Sequence, residues 1–471
     1  MAHLGLIGIG VMGSAFAQNL ADNGHTVSLM DRDPARAAEV AAEGADLAGE
    51  LIGCTEAEDF VASLPQPRSV IVLVPSGKPL DAVIDTLIPL LAPGDLIADL
   101  GNSYYKETEL RVEKCEAAGL MFLGMGISGG AEGARHGPAI MAGGSRASWD
   151  RVKGPLQDAS AKFEDDPCCD WYGPGGAGHF IKMLHNGIEY ADMQMIAEVY
   201  GVFRDAYQMS PAEIGDVFEA WNDGPLSSYL IEIASEVSKA NDPETGKAML
   251  DIILDRAGQK GTGRWSVIEG LHLGAPVSMM QAAVEARNVS ALKDDRAARA
   301  ARWGAAGNPL AFEAVPKARA IQILGDALLV AKICAYDQGF GVLRRASEAF
   351  GWDLDLAAIS RGWRAGCIIR SVLLDDISTA FEEAPNTDLV MSPHFEQYLS
   401  GRVEALQSGV AMCTALGLEV PTLYAAFSSF NAMRLETGTA NMIQALRDRF
   451  GAHTFERIDR PGESVNGPWH E

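Results

Sequence analysis

Long apolar runs are missing from this chain of 471 residues: none reaches the roughly 20 residues of a membrane-spanning helix. The opening MAHLGLIGIG carries neither the basic segment nor the small-residue cleavage site of a secretory leader, and it enters a strand pattern at once. A cytoplasmic protein with no membrane partner is therefore expected. Paired cysteines are missing too. The seven thiols, at Cys54, Cys115, Cys168, Cys169, Cys334, Cys367 and Cys413, form no CxxC, and the adjacent Cys168 and Cys169 are poorly placed to bridge each other. Nothing resembles a zinc site, so the expectation is reduced structural thiols and no metal. Positive charge is scarce: 38 Lys and Arg stand against 63 Asp and Glu, a net charge of −25. That excess speaks against nucleic acid as a partner. An anionic substrate would need its cations gathered locally. What is present, 48% hydrophobic and 21% charged residues, describes a globular protein too long for one core.

The segment HLGLIGIGVMGSAFAQNLADNGHTVSLMDRD reads as strand, glycine turn, helix, strand. An apolar run, Leu4 to Ile9, feeds Gly8-Ile9-Gly10-Val11-Met12-Gly13, which opens an Ala-rich helix ending near Gly24. A second strand, Thr26 to Met30, closes at Asp31, 18 residues beyond the last glycine. A GxGxxG alone is a weak signal in a chain with 50 glycines. Strand before, helix after and acid beyond make it a dinucleotide fingerprint. Gly8 permits the tight turn, Gly10 lets backbone approach a pyrophosphate, and Gly13 lets helix and strand pack closely. The helix N-terminus supplies free N–H groups to the phosphates. Further apolar runs at 68–76, 95–103 and 121–130 alternate with helical segments, which implies a mostly parallel, doubly wound sheet. Ligands of such sheets bind at the carboxyl ends of strands, where Asn102 and Ser128-Gly129-Gly130 fall. An Asn there is as often a plain turn residue, whereas Ser-Gly-Gly can form a nest of N–H groups suited to a carboxylate.

After the Gly-rich junction at 171–180, strand signals nearly vanish and helical periodicity dominates. Gly201 to Ala206 (GVFRDA) matches Gly341 to Ala346 (GVLRRA). Ile214 to Trp221 then shares its apolar spacing with Leu356 to Trp363, at offsets of 140 and 142 residues. This pattern fits either a diverged duplication or coincidental helix patterning. From about Gly438 comes one more helical stretch, then TFERIDRPGESVNGPWHE, too poor in apolar residues to fold alone. Such a tail is disordered or docked, possible partners including another subunit.

Within FIKMLHNGIEYADMQ, residues 180–194, Lys182, His185, Asn186 and Glu189 recur at helical spacing, with Tyr190 alongside. A solvated face seldom carries one base, one imidazole, one amide, one acid and one phenol. Placed on the first helix after a dinucleotide-binding domain, the row could meet a substrate at the nicotinamide: lysine as base, glutamate as acid, His185 and Asn186 on substrate oxygens. Three basic clusters could receive an anion: Lys260 with Thr262 in AGQKGTGRW, Arg287 in VEARNVS, and Arg447 with His453 in RDRFGAH. Taken singly these are ordinary surface charges.

GNSYY, GISGGAEGARHGPAIMAGG, CCDWYGPGGAGHFIKMLHNGIEYADMQ, AGQKGTGRW, RAGCIIRSV and IQALRDRFGAHTFERID resemble the decarboxylating 6-phosphogluconate dehydrogenases, from about residue 3 to 460. The resemblance implies an α/β Rossmann-type coenzyme domain (1–176), a large all-α domain with an internal duplication (177–437), and an extended tail reaching the partner of a homodimer (438–471). It implies Lys182 as general base and Glu189 as general acid. Asn102, Ser128, Gly129, Gly130, His185 and Asn186 would hold the carboxylate and hydroxyls of 6-phosphogluconate. Tyr190, Lys260, Thr262 and Arg287 would hold its phosphate, and Arg447 and His453 would come from the second subunit. Coenzyme would rest on Gly8 to Gly13 (Ile9, Gly10, Val11 and Met12 between), Asp31, Arg32, Asp33, Val74, Pro75, Ser76 and Asn102.

The family default is NADP, but where its members usually have Asn-Arg-Ser/Thr this chain has Asp31-Arg32-Asp33. An acid at the first position accepts a hydrogen bond from a ribose 2′-OH and repels a 2′-phosphate. Gly10 stands where Ala is frequent, and Pro75 where Lys is usual. NAD is therefore expected to be tolerated and preferred. Two rival readings are a β-hydroxyacid dehydrogenase acting on an unphosphorylated acid, whose shorter chains should lack AGQKGTGRW, and a catalytically silent coenzyme-binding regulator, which intact Lys182 and Glu189 disfavour.

Overall fold

The computed structural model describes residues 1–307 and 315–470. Its α/β part is a single eight-stranded sheet. The strands are β1 (His3–Ile7), β2 (Thr26–Met30), β3 (Leu51–Gly53), β4 (Ser69–Val72), β5 (Leu96–Asp99), β6 (Met121–Ser128) and β7 (Ala139–Gly144). A two-residue hairpin, β8 (Lys162–Phe163) and β9 (Asp166–Pro167), precedes the last sheet strand, β10 (Cys169–Gly173). The order is β10-β7-β6-β5-β4-β1-β2-β3. From β3 to β6 all pairings are parallel; β7 runs antiparallel to β6 and carries β10 parallel to itself. The block β3-β2-β1-β4-β5-β6 is the doubly wound dinucleotide-binding order, with its crevice between β1 and β4.

The connecting helices are α1 (Val11–Asp22), α2 (Pro34–Glu43), α3 (Ala57–Ser63), α4 (Lys78–Leu87), α5 (Tyr105–Ala117), α6 (Gly130–His136) and α7 (Arg146–Ala159). They cover both faces of the sheet. One core joins Phe16, Leu20, Leu29, Ile71, Ala98, Trp149 and Leu156; the other joins Phe60, Val70, Val72, Ile84, Ile97, Cys115 and Phe122. Neighbouring strand residues such as Val70, Ile71 and Val72 thus go to alternate cores, which is why these strands read as continuous apolar runs. Gly8 has φ +97°, and a side chain there would meet the Leu73 carbonyl. One on Gly13 would meet the Gly8 carbonyl, so both glycines are required by close approach.

The helical part opens at α8 (Ala177–Tyr207) and continues through α9 (Pro211–Asn222), α10 (Tyr229–Lys239), α11 (Thr262–His272), α12 (Ser278–Ala291), α13 (Lys293–Trp303), α14 (Lys317–Phe350), α15 (Leu356–Gly362), α16 (Leu373–Glu383), α17 (Pro393–Leu399) and α18 (Val403–Ala415) to α19 (Pro421–Ala432). The glycines of the junction let α8 begin against the sheet: a side chain on Gly143 of β7 would strike the Gly178 backbone. The repeated patterns fall at the ends of the two long helices, α8 and α14, and in the short helices that follow, α9 and α15. Among the described residues no helix is long and apolar enough to cross a membrane.

By compactness Met1–Ala426 forms one unit and Phe427–Glu471 a second. Within the second, α20 (Ala440–Gly451) precedes a hairpin, β11 (Phe455–Arg457) and β12 (Arg460–Val465). In place of an apolar core, the buried Asp448 carboxylate accepts hydrogen bonds from Thr454 N (2.9 Å), Gly467 N (2.9 Å) and Trp469 Nε1 (2.8 Å), with His470 Nε2 at 3.2 Å. A segment of low apolar content can be ordered this way because a carboxylate has about four acceptor positions.

Candidate active site

Of the residues singled out from the sequence, those of the α/β part lie at the carboxyl ends of β1, β2, β4, β5 and β6, and the row from Lys182 to Tyr190 lies on α8, which packs against β6 and β7. Behind the glycine turn, Asp31 receives the Ile9 N–H on Oδ2 (2.6 Å) and the Asp33 N–H on Oδ1 (3.1 Å). Asp33 caps α2 by accepting from Ala35 N. Arg32 lies beside them on the surface. Arg36 reaches back from α2 to the Ile9 carbonyl (3.3 Å) and Ser14 Oγ (3.1 Å). Val11 and Met12 open α1, whose first turn holds no acid. A side chain on Gly10 would meet nothing within 4 Å, so open space lies over the turn. Val74 lies against Gly8 and Gly101 at the head of the segment carrying Pro75 and Ser76. These features fit a dinucleotide: free N–H groups, room for a pyrophosphate and a carboxylate for ribose.

Asn102 follows β5 in a turn fixed from below. The buried Asp99 carboxylate accepts from Gly101 N (2.9 Å) and Ser103 Oγ (2.5 Å), with His179 Nε2 of α8 at 3.7 Å. Ser128 ends β6, and Gly129 and Gly130 start α6 at φ +111° and +65°. Glycine is needed at 129 on a second count, since a Cβ would meet the Gly366 carbonyl.

The row on α8 is almost wholly buried: Lys182 is 5% exposed, His185 0%, Asn186 9% and Tyr190 5%. Glu189 keeps 19% of its side chain exposed. Lys182 Nζ donates to Asn186 Oδ1 and lies 3.4 Å from His185 Nδ1. His185 is best assigned as the Nδ1–H tautomer, donating to Asn186 Oδ1 at 3.0 Å while Nε2 accepts from Ser128 Oγ at 3.2 Å. Ser128 Oγ in turn accepts from Ile368 N (3.4 Å), and Asn186 Nδ2 donates to Thr262 Oγ1 (2.9 Å). One continuous chain of hydrogen bonds thus runs from the end of β6, through α8, to the N-terminus of α11.

Burial decides the charges. It lowers Lys182 from the ordinary lysine value, against the opposing pull of Glu189. It raises Glu189, against Lys182 and Arg287. It pushes His185 well below its usual value, helped by Lys182, which keeps the imidazole neutral. A buried lysine and a partly buried glutamate therefore sit two turns apart on one helix, each shifted toward neutrality.

Arg287, on α12, lies over the Tyr190 ring at 3.5 Å and donates to the Gly258 carbonyl (3.1 Å). Gly263 packs so tightly on the Tyr190 ring that no side chain would fit. Thr262 is the first residue of α11, behind Gly261 at φ +103°, and the exposed Lys260 precedes it. Tyr190, Arg287, Thr262 and Lys260 thus lie around one helix N-terminus, an arrangement able to hold an anion. Arg447 and His453 belong to the second unit: Arg447 donates to Gln444 Oε1 (3.1 Å), and the His453 ring packs on Phe450.

Two contacts were not foreseen from the sequence, although RAGCIIRSV, which holds the first, was among the blocks that carry the resemblance. The turn Gly366–Ile368 touches Ser128 and Gly129, and Cys367 influences the charge of Lys182. Gly124 and Gly126 of β6 face α8, where side chains would strike His179 and Lys182. The two-residue spacing of glycines in GMGIS was the signal for the second.

Fold and site together define an oxidoreductase architecture: a Rossmann-type nucleotide domain followed by a helical domain that bears a buried lysine. Residues 3–173 match the NAD binding domain of 6-phosphogluconate dehydrogenase, and residues 178–469 match the 6-phosphogluconate dehydrogenase C-terminal domain. The chain belongs to the 6-phosphogluconate dehydrogenase family. It is 43% identical to 6-phosphogluconate dehydrogenase, decarboxylating, of Chlamydia pneumoniae, over 99% of this chain and 97% of that one. It is 42% identical to the NAD(+)-dependent, decarboxylating enzyme of Bacillus subtilis, over 98% and 97%. The 6-phosphogluconate dehydrogenase of Plasmodium falciparum superposes with a TM-score of 0.94 at 35% identity, covering 99% of this chain and 100% of that one; its structures include complexes with its cofactor NADP+ and its substrate 6-phosphogluconate.

Proposed function

We propose that this chain oxidatively decarboxylates 6-phosphogluconate to ribulose 5-phosphate and CO2 with a nicotinamide coenzyme. The observation that carries the reading is Lys182: buried, lowered from its ordinary pKa, and bonded to Asn186 between the Ser-Gly-Gly end of β6 and the α11 N-terminus. The Ser128–Gly130 nest, Asn102, His185 and Asn186 hold the carboxylate and hydroxyls. Tyr190, Lys260, Thr262 and Arg287 hold the phosphate, which answers the net charge of −25 with a local cluster of cations.

Neutral Lys182 takes the proton of the C3 hydroxyl. Nicotinamide coenzyme, when bound, supplies the acceptor for the C3 hydride. The β-keto acid so formed loses CO2 because the C3 carbonyl accepts the electron pair as an enolate. Protonated Lys182 donates to that oxygen, and as Glu189 delivers a proton to C1 of the enediol, Lys182 takes the hydroxyl proton back, leaving the ketone.

On the coenzyme, Asp31 supports NAD in preference to NADP: its carboxylate is fixed by Ile9 N and Asp33 N where a ribose 2′-OH would bind, and it repels a 2′-phosphate. The division of labour we propose is 1–176 for coenzyme, 177–437 for substrate and dimer contacts, and 438–471 for reaching the partner of a homodimer, where Arg447 and His453 complete the site. Seven unpaired, buried thiols suit a cytoplasmic setting. The test is coenzyme reduction with 6-phosphogluconate, NAD and NADP in parallel, with CO2 trapped. Turnover of gluconate alone would favour the unphosphorylated-acid reading, and tight coenzyme binding without turnover the silent regulator.

A further inference from the structure

Glu269 lies on α11 two turns beyond Thr262, and its side chain is only 2% exposed. Its carboxylate takes donors from three consecutive residues of another element: Tyr104 OH, Tyr105 OH at 2.8 Å and Lys106 Nζ at 2.8 Å, with His272 Nδ1 at 3.5 Å on its own helix. Successive residues of a helix point about 100° apart, so three rarely converge on one group. They do here because Tyr104 is the extended N-cap of α5 (φ −78°, ψ 125°) and Tyr105 and Lys106 form its first turn. The rings add to the clamp. Tyr104 packs on Trp265 of α11 at 5.1 Å, and Tyr105 meets Phe180 of α8 edge-on at 4.9 Å, two residues before Lys182.

The two elements so joined carry the two ends of the site. The start of α5 follows Asn102 directly, while the start of α11 bears Lys260 and Thr262. A packing contact alone could have been apolar; a buried carboxylate with three directed donors fixes distance and angle as well, because each donor left unmet is costly. We propose that Glu269 is a positioning residue that sets the span between the hydride-transfer end of the site and the phosphate seat. This rests on the reading of α11 as the phosphate seat of a 6-phosphogluconate dehydrogenase. A substrate anchored by its phosphate presents C3 to Lys182 only if α11 stands at the right distance from the β5–α5 turn. The Glu269 carboxylate holds that distance.

The test uses the full chain with Glu269→Gln, which leaves one acceptor for three donors, and Lys106→Met, which removes a single half-exposed donor. Three quantities are read: kcat with 6-phosphogluconate, KM, and the Ki of inorganic phosphate as a competitive inhibitor. A displaced but intact seat lowers kcat in Glu269→Gln by about tenfold or more while leaving the phosphate Ki within about twofold, with a smaller kcat loss of the same kind in Lys106→Met. Phosphate Ki rising in step with the kcat loss would mean that Glu269 only keeps the α11 loop folded, and the proposal would fall. Unchanged kcat in both variants overturns it as well. If Glu269→Gln does not fold, Lys106→Met decides: kcat and Ki equal to those of the parent reject the proposal. A parent chain inactive on 6-phosphogluconate removes the functional reading itself, and the inference with it, before any variant is compared.

Discussion

Lys182 and Glu189 are ionisable groups placed where ionisation is costly, and the pH dependence of the reaction should report it. In the proposed roles Lys182 must be neutral and Glu189 protonated. Burial moves Lys182 down from 10.5 and Glu189 up from 4.5, so the two limbs of kcat/KM should close inward from those values into a narrow bell. Because the groups interact, the limbs belong to the pair. Glu189→Gln should erase one limb, and a profile that keeps both would assign the acid elsewhere. Lys182→Met should lower kcat about a thousandfold with coenzyme affinity unchanged by equilibrium titration. At the coenzyme end, Asp31→Asn should move the ratio of kcat/KM for NAD over NADP by about tenfold toward NADP, the size of one charged interaction; an unaltered ratio would rule Asp31 out as the selector. Both positions could be read from spacing, since a row at helical intervals and an acid after the second strand are local patterns. The Gly366–Ile368 turn could not: it meets Ser128 across more than two hundred residues of chain, and its own sequence carries no period.

Among the elements, the strands that feed the crevice were the legible ones. β2, β4, β5 and β6 are apolar runs ending in small polar residues, and they stand within the stretches where the pattern puts them. β7 and β10 were not, because Ala139–Gly144 ends in two glycines and the short β10 holds an aspartate and closes on a glycine. Their strand character comes from pairing with neighbours, not from propensity. A similar non-local contact joins α8 to α19. Buried Glu198 accepts the Thr422 and Leu423 N–H groups at 2.8 and 3.0 Å, serving the free N-terminus of α19. Burial nevertheless prevails and pushes its carboxyl from 4.5 up to about 7. The folded state then holds this proton more tightly than the unfolded chain does. Its contribution is present at low pH and lost as pH rises from about 4.5 through about 7, by about 3 kcal/mol in all. Glu198→Gln, which cannot ionise, should therefore lose more stability relative to the parent at pH 5.5 than at pH 8 (both roughly chosen to bracket the change). Denaturant midpoints of the two proteins running parallel across that range would show that Glu198 stays ionised when folded.

For the whole molecule, the proposal that a second copy completes the site has its own test. Arg447 and His453 lie in the compact unit Phe427–Glu471, where Met442, Ile443, Leu446 and Phe450 form one exposed apolar stripe along α20. A stripe of that kind on a helix of 12 residues asks for a partner surface. The sequence marked this tail as poor in apolar residues, but its order around the Asp448 carboxylate was illegible, since a hub of that kind has no period to detect. If the tail completes the partner's site, two inactive variants should repair each other. Lys182→Met keeps a good tail, and Arg447→Ala keeps a good lysine. In a mixed dimer one site then combines both lesions and the other combines neither. Equal amounts, unfolded and refolded together, should form mixed dimers as about half of the population and recover about a quarter of the parent activity, whereas each variant refolded alone stays near zero. Were Arg447 to serve the site of its own chain, no combination could contain an intact site and the mixture would remain as inactive as its components.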